Sequence, residues 1–270
     1  MVEFEEVKYG MLMMVLCDRW GRVYDVWITF GSVHEDKGTT HSCGRARAVC
    51  YGQHTELSEL IPLAILSTYE EGFTCLVKAV GRSTLELIEE AQELSYVAGP
   101  LGRPFPVRSY GRVAFYTHSW GIAPALMVAR ALKKEGNYLI LFHTSEDFYL
   151  EEETKKVFDE VFQDSPKALD VNLVVSVGSN RLSKDILSLY PQTPIISMVN
   201  VHMLDAVGLC LVCRVLVDGE QRLACVDGPW FEAHKVDWDN LMERERAYEE
   251  QERIAFEEYN KLLKRKSLKA

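Results

Sequence analysis

The stretch GRVAFYTHSWGIAPALMVARALKKEGNYLILFH, residues 111–143, sets the class of the chain's second half. Arg112–Tyr116 is a short β-rich run of the kind that forms a buried strand. Ala123–Glu135 repeats apolar residues at helical spacing and ends at Gly136, a helix stop signal. Tyr138–His143 is again strand-like. The alternation continues downstream, with a helix expected over Thr154–Phe162, a strand over Asn172–Val177, a helix over Ser183–Leu189 and a strand over Pro194–Met198. Strands and helices in turn, joined by short loops, predict a parallel α/β sheet.

Beyond that sheet, residues 199–230 read as a cysteine-containing loop and a hairpin around Asp218-Gly219. Residues 237–266 read as one long charged helix with apolar positions at Leu241, Tyr248, Ile254, Tyr259 and Leu262. Its acidic start and basic end suit the helix dipole, and its expected role is a solvated helix with one packed stripe, docking onto a partner being the alternative.

Upstream, Val23–Phe30, Arg47–Tyr51, Leu60–Leu66 and Phe73–Val80 are short β-rich runs separated by turns. A helix follows Gly81-Arg82-Ser83-Thr84, with Ser83 or Thr84 as its cap and Leu85, Leu87, Ile88 and Ala91 on its inner face. This predicts a small antiparallel barrel with one helix, ending near Gly99–Pro104. The expected organisation is a barrel over 1–102, an α/β domain over 103–198, a loop and hairpin over 199–236 and a charged helix over 237–270.

The chain has 270 residues, 47% apolar and 26% charged, the make-up of a globular protein with room for two cores. Its net charge of −10 argues against nucleic acid, which needs a dense Lys/Arg surface. The apolar stretch Met11–Leu16 is far shorter than the roughly 18 residues that cross a bilayer. A cytoplasmic protein with no membrane partner is expected. In that reducing setting the seven cysteines are thiols or metal ligands rather than disulfides. Cys17, Cys43, Cys50 and Cys75 are scattered among apolar residues and read as core hydrophobes.

Cys210, Cys213 and Cys225 cluster instead. With Asp205 they give the spacing D-x4-C-x2-C-x11-C, close to the plant-type C-x4-C-x2-C loop of a [2Fe–2S] cluster with one ligand further along. Three thiolates and a carboxylate also suit zinc, and inert cysteines are the third reading.

Around these residues, Met203-Leu204-Asp205-Ala206-Val207-Gly208-Leu209-Cys210-Leu211-Val212-Cys213-Arg214 and Ala224-Cys225-Val226-Asp227-Gly228-Pro229-Trp230-Phe231 resemble a known family. It is that of the small, alpha-type subunit of NADH-dependent ferredoxin:NADP oxidoreductase. The family includes the sulfide dehydrogenase beta subunit and, more distantly, the dihydroorotate dehydrogenase electron-transfer subunit. The likeness runs from about Leu60 onward, through Ile61–Ile65, Val80–Thr84, Ala98–Gly102 and Trp120–Pro124. It implies a ferredoxin–NADP reductase-like fold and a [2Fe–2S] cluster on Asp205, Cys210, Cys213 and Cys225. It further implies FAD against Pro62, Leu63, Gly81, Arg82, Ser83 and Thr84, and a nucleotide loop at Gly121, Ile122, Ala123 and Pro124.

The implied partner is a larger flavin and iron–sulfur subunit resembling the glutamate synthase small subunit, with a ferredoxin as a second candidate. No residue is assigned a catalytic role. The departures from the family are specific. Leu60 stands where an arginine pairs with the FAD pyrophosphate, and Ala64 replaces a hydroxyl residue. Thr117-His118-Ser119-Trp120 replaces a glycine-rich approach to the dinucleotide phosphates, which argues against productive NAD(P)H binding. His118 reads as a packing residue. Leu211 and Ala206-Val207 replace small residues and are expected to shield the cluster from water.

The function expected is therefore an electron-transfer subunit. An intact FAD-dependent NAD(P)H oxidoreductase subunit is the first alternative, and a non-redox scaffold with a zinc or empty cysteine site the second.

Overall fold

The structure, a computed structural model, describes residues 23–29, 49–50, 62–69, 72–89, 94–96 and 101–267. Met11–Leu16, Cys17, Cys43, Leu60, Ala91 and the Gly99-Pro100 part of the expected boundary lie outside them.

The first half contributes β1 (Val23–Thr29), β2 (Val49–Cys50), β3 (Ile65–Tyr69), β4 (Gly72–Lys78), α1 (Arg82–Glu89) and β5 (Leu94–Tyr96). β1, β4 and β3 form an antiparallel sheet in that order, and β2 pairs antiparallel with β5. β3 begins at Ile65, later than expected, and Pro62 before it has no N–H to give a ladder. Cys75 is a core residue whose thiol burial pushes up to about 12. α1 begins at Arg82, so Ser83 and Thr84 lie inside its first turn and neither is the cap. The Thr84 hydroxyl reaches back instead and accepts the amides of Val80 and Gly81 at 3.0 and 3.1 Å.

The second half follows the expected alternation. It comprises β6 (Arg112–Thr117), α2 (Ile122–Lys134), β7 (Tyr138–His143), α3 (Glu151–Val157), β8 (Glu160–Phe162), β9 (Leu173–Val177), α4 (Asn180–Leu189) and β10 (Ile195–Met198). After these come the hairpin β11 (Arg214–Val217) and β12 (Glu220–Leu223), then β13 (Trp230–Glu232), α5 (Trp238–Glu245) and α6 (Glu249–Ser267). The sheet order is β13-β10-β9-β6-β7-β8, parallel throughout except for β13 at its edge. Val113, Ala114, Phe115 and Tyr116 of β6 are fully buried, because helices cover both faces of a parallel sheet and its middle strands become all apolar.

Three expectations fail locally. The helix expected over Thr154–Phe162 stops at Val157, where Phe158 turns extended and buries its ring, and β8 then joins the sheet beside β7. α4 starts earlier than Ser183, because the Ser179 hydroxyl caps it by accepting the Leu182 amide at 3.2 Å. The single C-terminal helix is two. α5 buries Trp238 and Leu241 in the α/β core, whereas α6 buries Tyr259 against Ala79 and Leu85 of the first half. A straight helix cannot serve two surfaces, and the break at 246–248 is held by amide bonds from Arg246 and Ala247 back to Glu243 and Arg244.

The hairpin turns at Asp218-Gly219 as expected. Both residues have positive φ, 55° and 76°, which is the backbone of a type I′ turn.

Candidate metal centre

The segment leaving β10 is tied down before it becomes a loop. Val199, Val201 and Met203 are buried, and the Asn200 amide donates to Asn180 Oδ1 at 2.9 Å. Glu245 at the end of α5 accepts from the side-chain amides of Asn180 and Asn200, both at 3.1 Å. Burial pushes the Glu245 carboxyl up from its ordinary value.

Asp205 then organises the loop by itself. Its Oδ1 accepts the amides of Val207 and Gly208 at 3.1 and 3.3 Å, and its Oδ2 those of Leu209 and Cys210 at 2.8 and 2.6 Å. Although partial burial opposes it, this ring of N–H donors holds the carboxyl below its usual range. The same loop carries Ala206 and Leu211 at φ 57°, a left-handed backbone that costs a side chain about 1–2 kcal/mol. The resembled family has small residues at these places, and here Asp205 holds the strained turns closed.

Cys213 sits just before β11 and Cys225 just after β12, so the hairpin brings them together with their sulfurs 3.2 Å apart. Both are buried. The hydrogen bond between the two thiols pulls the Cys213 thiol below its ordinary value against the effect of burial, aided by the amides of Cys225 and Ala224. Cys225 is pushed up, first by that hydrogen bond and then by burial and the negative charge of Cys213 and Asp205. The Gly208 amide turns toward the Cys225 sulfur and opposes that rise. Backbone N–H groups therefore aim at both sulfurs, as anionic sulfur requires.

Cys210 is exposed and joins the group through the Asp205 carboxylate, which takes its amide and its thiol. The structure thus gathers Cys213 with Cys225 and Asp205 with Cys210. Among the described residues, no three His, Cys, Asp or Glu side chains form a preformed ligand set for one ion. Of the residues expected to shield the site, Ala206 and Val207 are half-buried and Leu211 is exposed. Leu204, Leu209, Leu211 and Val226 are 61%, 82%, 43% and 43% exposed, so the loop presents an apolar rim rather than a cover.

Two positioning residues escaped sequence reasoning. Arg244 of α5 donates to the Arg214 carbonyl and, at 2.8 Å, to that of Val212, clamping the chain on either side of Cys213. The Asp227 carboxylate accepts the Leu223 amide at 2.9 Å and fixes the turn that carries Cys225. No spacing marks Arg244, because its targets lie about thirty residues away.

The other expected sites are placed as follows. Pro62 and Leu63 immediately precede β3, with Leu63 buried. Gly81, Arg82, Ser83 and Thr84 meet at the start of α1, where the direction a Gly81 side chain would take is open. The Arg82 guanidinium lies 5.6 Å from the ring centre of Tyr259 in α6. Gly121, Ile122, Ala123 and Pro124 are all buried.

Residues 200–237 match the iron–sulfur cluster binding domain of dihydroorotate dehydrogenase B. Over 265 residues the chain is 33% identical to the dihydroorotate dehydrogenase B (NAD(+)) electron transfer subunit homolog of Thermotoga maritima, covering 88% of this chain and 92% of that protein. The chain belongs to this electron-transfer subunit family. A second member, the electron transfer subunit of Clostridium perfringens, is 25% identical over 68% of this chain and 83% of its own length. A solved chain of the NADH-dependent reduced ferredoxin-NADP oxidoreductase shares 29% identity, with a TM-score of 0.73, over 93% of this chain and 97% of that one. The fold is ferredoxin–NADP reductase-like, with small antiparallel sheets followed by a parallel-rich sheet and the iron–sulfur domain near the C-terminus. That family domain begins at Asn200, which Asn180 and Glu245 anchor, and ends at Asp237, whose side chain caps α5. It encloses Asp205 and the three clustered cysteines. No described helix is long and apolar enough to cross a membrane.

Proposed function

We propose that this subunit relays electrons within a cytoplasmic multisubunit oxidoreductase through a [2Fe–2S] cluster held by Asp205, Cys210, Cys213 and Cys225. The observation that carries the reading is the approach of Cys213 and Cys225 to 3.2 Å inside the stretch matching the family's iron–sulfur domain. Three thiols and a carboxylate suit iron, and the amides of Ala224, Cys225 and Gly208 stabilise thiolates at the two buried positions. A [2Fe–2S] cluster, when bound, takes up and gives back one electron. The chain's own residues do the rest. Arg244 and Asp227 fix the cysteine-bearing strands, and Asp205 keeps the loop folded back on them.

The proposed domains are a flavin-type barrel over 1–102, a nucleotide-type domain over 103–198, the cluster loop and hairpin over 199–236 and the C-terminal helical region over 237–270. FAD is the second proposed cofactor, held by Pro62, Leu63, Gly81, Arg82, Ser83 and Thr84. The open space above Gly81 and the guanidinium of Arg82 at a helix start support it.

A one-electron carrier must hand its electron on, so a partner is required. The apolar rim of Leu204, Leu209, Leu211 and Val226 beside exposed Cys210 supports docking there. The proposed partner is a larger flavin and iron–sulfur subunit like the glutamate synthase small subunit, with a ferredoxin as the second candidate.

Anaerobically purified chain should be brown and hold about two irons and two acid-labile sulfides. Cys213→Ser should abolish the visible absorbance. Zinc in place of iron, or an unchanged spectrum in the variant, would overturn the assignment.

A further inference from the structure

In a doubly wound sheet, ligands bind outside the carboxyl ends of the strands where the order reverses. Here β6 is followed by β7 and β8 on one side, while β9 and β10 lie on the other, so the reversal falls between β6 and β9. The two loops that leave these strands, after Thr117 and after Val177, should frame an open crevice.

They are packed against each other instead. The His118 amide donates to the Val177 carbonyl at 3.2 Å. Gly178, at φ 148°, has His118 Cβ only 3.0 Å from where its own Cβ would be. The corresponding position on Gly121 is 2.3 Å from the Val177 carbonyl oxygen. Thr117–Trp120 stand where glycines elsewhere let a dinucleotide approach, and Gly121 and Gly178 beside them are covered by protein. Donors are also taken. The Gly121 amide bonds to His118 O at 3.0 Å, the Ile122 amide to the carbonyls of Ser119 and Trp120, and Pro124 has none to offer. Ser119 and Trp120 are buried in the short 3-10 turn that fills the loop.

The first half of the chain completes the closure. Lys78, at the end of β4 and 4% exposed, donates to Ser119 Oγ at 3.0 Å and to Asp147 Oδ2 at 3.1 Å. Asp147 follows β7, and its carbonyl bonds His143, which also meets Thr117 at 2.9 Å. His118 bonds Thr144 at 3.2 Å. Burial first, and the Lys78 charge second, hold His118 toward its neutral form, so it offers little charge to a phosphate.

We infer that the dinucleotide crevice of the parallel sheet is closed by the chain itself into a pinned junction between its two halves, with Lys78 as the pin. NADH and NADPH are excluded from it, and reducing equivalents reach this subunit through its partner.

The test uses full-length, cluster-loaded chain prepared without oxygen. NADH and NADPH should show no saturable binding by equilibrium dialysis up to roughly 1 mM, the weak end of ordinary affinities. Saturable binding of either, with slowed amide exchange over residues 117–122, would overturn the inference. Lys78→Met should raise exchange at His118 and Gly121 at least about tenfold, since local opening sets that rate, and leave the visible spectrum unchanged. Unchanged exchange would remove the pin from the argument. Should Lys78→Met not fold, Asp147→Asn weakens the same pair from its more exposed side, with the same outcomes. The relay proposal is separable: nucleotide binding with an intact iron spectrum defeats only the closure, and nucleotide exclusion without iron defeats only the relay.

Discussion

Asp205→Asn dissects the two tasks given to one carboxylate. In the structure that carboxylate accepts four backbone amides, two on each oxygen. With the Cys210 thiol these amides crowd its acceptor sites, so service as an iron ligand requires that some be released. Asn keeps one carbonyl oxygen and turns an NH2 group toward the other pair, the short contacts to Leu209 and Cys210. Each bond to a charged acceptor contributes about 1.5–3 kcal/mol. Because the loop is partly exposed, water replaces much of this, and losing two should cost roughly 2–3 kcal/mol of local stability. Relaxation of Ala206 and Leu211 out of the left-handed region pushes the same way. The Leu209 and Cys210 amides should then exchange roughly 30- to 160-fold faster at neutral pH. A change below about threefold would refute the anchoring argument, since local opening is what this assay reads. Asp205→Cys addresses the ligand role separately. A fourth thiolate should retain iron with a shifted visible spectrum, whereas retained iron with an unchanged spectrum would show that the position does not bind metal.

Two further variants test the scaffold beneath the site. Glu245 has its carboxyl raised by burial, so its protonated form is favoured in the folded state. The stability that protonation contributes is present below the ordinary Glu value of 4.5 and is lost as pH rises toward the folded value. Wild type should therefore lose stability relative to Glu245→Gln across that window, and denaturant midpoints with equal pH slopes would contradict it. Ile186→Ala in α4 empties a fully buried site and should cost roughly 2–5 kcal/mol, read as a lower urea midpoint at constant slope.

Much of the second half was readable because its signals are local. Val113–Tyr116 and Leu139–Phe142 are continuous apolar runs, and only strands covered on both faces tolerate them. The D-x4-C-x2-C-x11-C spacing exposed the cysteine group for a similar reason, since a loop and a two-residue turn carry the candidate ligands at fixed offsets. β8 was hidden. Glu160–Phe162 is three residues long and half-exposed, and the charges before it repeat at helical intervals. The C-terminal break was hidden too, since α5 and α6 share one charged composition.

From residue order alone came the class of the sheet, the hairpin at Asp218-Gly219 and the identity of the four candidate ligands. Only the folded chain decided that Asp205 faces four amides, that Arg244 clamps Cys213, and that Lys78 crosses to Ser119 and Asp147. The reason is physical. Apolar periodicity reports the face one element turns to a core, but polar contacts between distant segments depend on how the chain returns. Lys78 and Ser119 stand forty-one residues apart, and nothing within either neighbourhood encodes their meeting.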